Sequence, residues 1–260
     1  MKIDINCDLG EGFGAYRMGD DEALLRVISS ANVACGFHAG DPVIMDRTVR
    51  CAKKSGVDVG AHIGFSDLQG FGRRAMQLDT KELETMTLYQ LGALRGIASA
   101  VEKPMTHVTF HGALGNMSFA DAALAETLVR AVKSFDRALI VIAPPMTELH
   151  RAATKAGLPV ANVVFADRAY DDQGLLVSRK LPGAVIKDPD EVTSRIIRML
   201  EDRTITSISG KRMPVSIHSI LVHGDTDGAS VLATLVRDRI ECAGAVVAPV
   251  SEVIATEVPA

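Results

Sequence analysis

The sequence predicts an α/β fold on a parallel sheet, with about seven strand and helix units closed, or nearly closed, into a barrel. Short apolar runs recur along the chain and alternate with helical patterns that carry start and stop signals. Several of the runs end in a glycine-bearing polar segment with Asp or His, the pattern of strands whose carboxyl ends gather on one rim. A length of 260 residues, 47% of them hydrophobic, suits one large domain over residues 1–260 with a substantial core. An open doubly wound sheet satisfies the same alternation and stays open on pattern alone.

Taken in order, Ile3, Ile5 and Cys7 alternate as a first strand, and comparable runs follow at 33–35, 57–61, 108–110, 139–143, 163–166 and 220–222. After the second run, Asp41 precedes Pro42 at a first helical turn and Gly56 closes that helix. Asp79 with Glu82 reads as a capping box before a long helix carrying Leu83, Met86, Leu91, Leu94 and Ile97. Asp188, Pro189 and Glu191 start another helix before Ile196, Ile197 and Leu200, and Thr226 opens a last long helix that ends near Gly244. Residues 204–216, with Ser209-Gly210 at the middle, read as a hairpin insertion. No internal repeat or linker interrupts the series.

A net charge of −4 with no basic block argues against a nucleic-acid or anionic-membrane partner, which leaves a small molecule or another protein. No charged leader with an apolar stretch opens the sequence, and no apolar run approaches the roughly 20 residues that span a bilayer, so a cytoplasmic location is expected. Cys7, Cys35, Cys51 and Cys242 form no C-x-x-C pair and are expected to be reduced, with Cys7 and Cys35 packed in strands.

The chemistry sits in five segments, at 6–12, 35–41, 61–67, 110–116 and 222–225. Asp8, Glu11, His38, His62, His111 and His223 occupy comparable places beyond strand ends, a convergent set suited to general acid–base catalysis. The same residue types suit a divalent metal, with Asp8, His38 and His62 as its candidate ligands. A single histidine at a strand end can simply bond a backbone carbonyl; several in one context weaken that explanation together. His107, His150 and His218 lack the context and are set aside. Arg73, Arg74 and Arg168 offer guanidinium forks for an anionic substrate, although one of Arg73 and Arg74 can equally tie down its loop. Asp41, Asn116, Asp167 and Asp225 complete the candidate substrate-binding set.

Competing motifs fail. Residues 10–15 fit G-x-G-x-x-A formally, but Glu11 would meet a pyrophosphate with the wrong charge. Gly210-Lys211-Arg212 lacks the glycine spacing and the hydroxyl of a P-loop, and no G-x-S-x-G elbow occurs.

The segments 6–14, 31–42, 60–74, 111–114, 165–168 with Tyr170, and 222–226 make the chain similar to the LamB/YcsF family over essentially its whole length. That family's better-understood members are A subunits of the prokaryotic ATP-dependent 5-oxoprolinase. The resemblance implies a seven-stranded (β/α) barrel of the glycoside hydrolase and deacetylase type. It also implies opening of the 5-oxoproline lactam to glutamate with ATP hydrolysis, alongside separate B and C subunits. Phosphorylating the lactam oxygen would make a poor electrophile open to water, with His and Asp groups moving protons and arginine holding the carboxylate or the phosphoryl group.

Two departures stand out: Thr109 where the family commonly has lysine, and Val163 where it commonly has glutamate. His62-Ile63 likewise replaces a His-Pro. Losing a cation and an anion together fits a mutual salt bridge replaced by neutral contacts, or a changed substrate. Two other readings follow: a metal-dependent amide or deacetylase-type hydrolase, and a noncatalytic paralogue that binds a carbohydrate or small acid. The oligomeric state is left open, a homo-oligomer included.

Overall fold

The computed structural model describes residues 1–225 and 228–256. The order is β1 (Lys2–Leu9), α1 (Asp21–Leu24), β2 (Ser30–Ala34), α2 (Pro42–Ser55), β3 (Asp58–Ile63), α3 (Thr80–Ala100), β4 (Met105–Phe110), α4 (Gly112–Ala120), α5 (Ala122–Phe135), β5 (Ile140–Ala143), α6 (Glu148–Ala156), β6 (Val160–Phe165), α7 (Pro189–Asp202), β7 (Thr204–Thr206), β8 (Arg212–Pro214), β9 (Ser219–Val222), α8 (Ala229–Cys242), β10 (Val246–Val247) and α9 (Val250–Ala255).

Strands β1 to β6 and then β9 pair in parallel, and β9 pairs back to β1, so seven strands close a barrel. Asp4 to Cys7 pair with Ser219 to Val222 at the seam, which settles the topology against an open sheet. β10 adds in parallel beside the start of β1, and β7 with β8 forms the expected antiparallel hairpin.

The helix signals expected at Asp41, Gly56, Asp79 with Glu82, and Asp188 are used. Asp41 accepts from the N–H groups of Val43 and Ile44, and Gly56 ends α2 at φ 71°. Asp79 and Glu82 form their capping box, and Asp188 caps α7 ahead of Pro189. The last long helix begins at Ala229 behind Gly228 and ends at Cys242; Thr226, expected to open it, lies outside the described residues. Among the described residues, no helix is long and apolar enough to cross a membrane.

The alternation in β1 divides the molecule. Ile3, Ile5, Cys7 and Leu9 join the main core, whereas Asp4, Asn6 and Asp8 meet the inner residues of neighbouring strands. Asn32 donates to both Asn6 and Asp8, His107 Nε2 lies 3.0 Å from Asn32 Oδ1, and Asn6 donates to Ser219. On the opposite side Ile142, Val163, Phe165 and Leu221 form a second apolar cluster, into which α9 packs Val250 and Ile254. One half of the barrel interior is therefore polar and the other apolar.

Candidate functional site

At the carboxyl ends of the strands a cavity of about 490 Å³ opens between these two halves. Asp8, Glu11, His62 and His111 line it at and beyond the ends of β1, β3 and β4; Val163, Phe165 and Leu221 line it from β6 and β9; and His223, just past β9, has its ring centroid 5.9 Å from that of Phe165. The apolar lining comes from β6 and β9, so a ligand here would meet both hydrocarbon and ionisable groups.

Asp8 ends the polar row of β1, 8% exposed, with its Oδ1 accepting from Asn32 at 2.9 Å. Its Oδ1 also lies 3.4 Å from His62 Nε2. Burial works against its charge, but the neighbouring histidines His62, His223 and His111 hold its carboxyl well below the usual carboxylate range. Glu11 goes the other way: burial, with Asp8 and Asp225 nearby, pushes its carboxyl well above the ordinary range. Two carboxyls on one wall are thus driven apart, one toward the ionised and one toward the protonated form.

His62 Nδ1 lies 2.6 Å from the Thr109 hydroxyl and His62 Nε2 lies 2.9 Å from His111 Nδ1. His111 Nε2 lies 2.8 Å from the Phe71 carbonyl, which can only accept, so that nitrogen carries the proton and Nδ1 presents a lone pair. Burial pushes the His111 imidazole down to about 3, which keeps it neutral. His38 lies behind this pair rather than on the cavity wall. Its ring stacks on His111 with centroids 3.8 Å apart, its Nε2 lies 3.2 Å from Glu11 Oε1, and its buried Nδ1 has no partner. Close packing here requires glycine: a Cβ on Gly72, whose φ is 61°, would stand 2.7 Å from His38 Cβ and 2.9 Å from His111 Cδ2.

Glu11, His38, His62 and His111 each place one donor atom within 4.8 Å of the others, a set able to hold a metal ion. It keeps His38 and His62 of the ligand set expected from sequence and replaces Asp8 with Glu11 and His111.

Across the mouth, His223 Nδ1 lies 2.8 Å from Asp167 Oδ1, and its Nε2 accepts from Arg179 at 2.9 Å. Arg73 pairs with Asp225 at 2.5 Å. Arg179 was not among the expected site residues; it sits in the long connection between β6 and α7, where no periodic signal marks it. Its guanidinium is held below the ordinary value by burial and by Arg73, two cations facing one cavity.

Several expected positions need correction. Asp41 caps α2 and also accepts from Gly14 N–H at 2.8 Å, so its oxygens serve the backbone. Arg74 reaches away to Asp67, which leaves Arg73 as the fork that faces the cavity. Arg168 touches the cavity, but its Nη2 donates to the Val177 carbonyl and its Nε to that of Ala184, holding the connection that carries Arg179. Asp167 acts on His223 from behind. Asn116 does line the cavity. His107, set aside from sequence, is buried in the polar layer beneath Asp8 through Asn32.

Comparison with known proteins agrees with this picture. The LamB/YcsF family model matches residues 3–255. The chain is 56% identical over 254 residues to a 5-oxoprolinase A subunit of Pseudomonas syringae pv. tomato, covering 98% of this chain and 99% of that protein. It is also 56% identical over 252 residues to a 5-oxoprolinase A subunit of Ralstonia nicotianae, covering 97% of each. Among solved structures, a lactam utilization protein from Thermus thermophilus superposes with a TM-score of 0.90 at 41% identity, covering 95% of this chain and 99% of that one.

Proposed function

The chain belongs to the LamB/YcsF family, and on that footing we propose that it is the A subunit of a 5-oxoprolinase, a hydrolase that opens the lactam of 5-oxoproline to L-glutamate. The observation that carries this reading is the convergence of Asp8, Glu11, His62, His111 and His223 on one cavity that Val163, Phe165 and Leu221 also line. A five-membered lactam has the matching halves: ring methylenes for the apolar wall, and an amide and a carboxylate for the polar groups.

Asp8, kept ionised, is placed to take a proton from the attacking water. His223, oriented by Asp167, is placed to exchange a proton with the leaving ring nitrogen through Nε2 once Arg179, which donates to that nitrogen in this structure, turns to an anionic group of the substrate. Arg179 and Arg73 are placed to hold the substrate carboxylate or a transferred phosphoryl group. On this reading, and by the resemblance to 5-oxoprolinase A subunits alone, ATP is the co-substrate that activates the lactam carbonyl and is consumed together with separate B and C subunits.

The test is reconstitution. The chain is mixed with B and C subunits, 5-oxoproline and ATP, and glutamate is measured; formation that requires all components supports the reading, and folded subunits that form none contradict it.

A further inference from the structure

We propose that Asn32 and His107 are positioning residues for Asp8: a directed row of hydrogen bonds runs from β4 to β1, holds one oxygen of the Asp8 carboxylate and leaves the other for the attacking water. The proposal rests on the reading of Asp8 as the group that takes a proton from that water.

The row is built by strand register. β1 and β2 set Asp8 beside Asn32, β2 and β3 set Asn32 beside Gly60, and β3 and β4 set Gly60 beside His107. Asn32 and His107 thus stand two strands apart, about 9–10 Å in the backbone, and the residue between them must yield the space for their side chains to meet. It does: a Cβ on Gly60 would run into the imidazole of His107.

The carboxylate dictates every proton in the row. Ionised Asp8 can only accept, so the Asn32 amide nitrogen faces it, giving one hydrogen to Asp8 Oδ1 at 2.9 Å and the other to Asn6 Oδ1 at 2.7 Å. Asn32 Oδ1 then faces His107 Nε2 at 3.0 Å, which must carry a proton, and the Thr106 hydroxyl donates to His107 Nδ1 at 2.9 Å. Burial pushes the His107 imidazole down to about 4, which keeps it to that single proton. From Thr106 through His107 and Asn32, each donor faces Asp8, so the bonds polarise one another in one sense. Asn32 and His107 are fully buried, where water does not compete. Asp8 Oδ1 is also the oxygen 3.4 Å from His62 Nε2, which assigns the proton transfer to Oδ2.

Asn32→Leu, His107→Leu and His107→Gln are made in the full chain, and glutamate formation is followed in the reconstituted enzyme. Asn32→Leu, which removes a hydrogen bond to a charged group, should lower kcat about 10- to 100-fold, and His107→Leu, which removes a neutral one, about 3- to 10-fold. KM should stay within about threefold in both, because the loss falls on the chemical step. His107→Gln keeps an N–H near the place of Nε2 and should recover most of the rate. Ring-nitrogen NMR shifts read the His107 tautomer without turnover, and the expected form carries its proton on Nε2. A proton on Nδ1 instead overturns the proposal. So do folded leucine variants with the wild-type kcat, or a loss in His107→Leu that glutamine does not restore. Active wild type with unaffected variants removes this role alone, whereas wild type that forms no glutamate removes the lactam-opening reading and this role with it.

Discussion

His62 and His111 meet nitrogen to nitrogen, Nε2 to Nδ1 at 2.9 Å, although they leave different strands of the barrel. The contact exists because β3 and β4 pair in parallel with His62 opposite Thr109, and because His111 begins the turn just beyond. Thr109 at one end and the Phe71 carbonyl at the other make the two rings a fixed row of hydrogen bonds from strand to loop. The geometry of the floor is thus set by backbone register and by two small polar partners.

The glycine that allows this packing gives the first prediction. Gly72→Ala forces a methyl group against His38 and His111 at a positive φ and should destabilise the fold by about 2–4 kcal/mol. Gly92→Ala, in α3 with nothing within 4 Å of its added Cβ, should be neutral or stabilising by about 0.5–1 kcal/mol. Urea denaturation of both variants checks the contrast, and equal effects would contradict the close packing around His38.

At the other end of the barrel, burial pushes the Asp4 carboxyl from 3.8 up to about 6, despite hydroxyl donors from Ser219, Ser30 and Ser29. The folded state therefore favours protonated Asp4. Its contribution to stability is full below about 3.8 and is lost as pH rises through about 6, a change of about 3 kcal/mol at most. Thermal melts from pH 4 to pH 8 should show Asp4→Asn gaining on the wild type as pH rises, and a difference that stays constant with pH would contradict the assignment.

Most of the fold was legible because its outward residues alternate cleanly: Ile3, Ile5 and Cys7 marked β1, and all seven runs proved to be barrel strands. Their starts were not. Ser30, Asn32 and His107 face the polar half of the interior, so apolar runs located β2 and β4 only from their later residues. In the site, Asp8, His62, His111 and His223 were recognisable from their places at strand ends. Asp41 carried the same local signature, yet serves as a helix cap; an Asp before Pro reads alike in either role. Arg179 and the tie between Thr109 and His62 depend on a long connection and on strand register, and neither leaves a local trace.

Arg179 donates to His223 and faces Arg73 over the cavity, a position suited to an anionic substrate. Removing a charge-assisted contact of this kind costs about 1.5–3 kcal/mol. In the reconstituted enzyme, Arg179→Ala should raise KM about 10- to 100-fold, with Arg179→Lys recovering only part of the loss. An unchanged KM in both variants would remove Arg179 from substrate binding.

Thr109 and Val163 line the same cavity from opposite halves of the barrel. Val163→Glu alone places a carboxylate on the apolar wall and should cost about 2–4 kcal/mol of stability. If the lysine and glutamate common in the family form a pair, Thr109→Lys added to Val163→Glu should recover at least about 1 kcal/mol in a double-mutant cycle. Strict additivity would show that the two positions changed independently.

Glutamate formation by Asp8→Asn in the reconstituted enzyme bears on the whole reading of the cavity. Asparagine keeps an oxygen for the Asn32 bond, so the variant should fold and bind substrate. Its rate should fall at least about 100-fold below wild type. A folded Asp8→Asn enzyme that makes glutamate at the wild-type rate would contradict ring opening at this site.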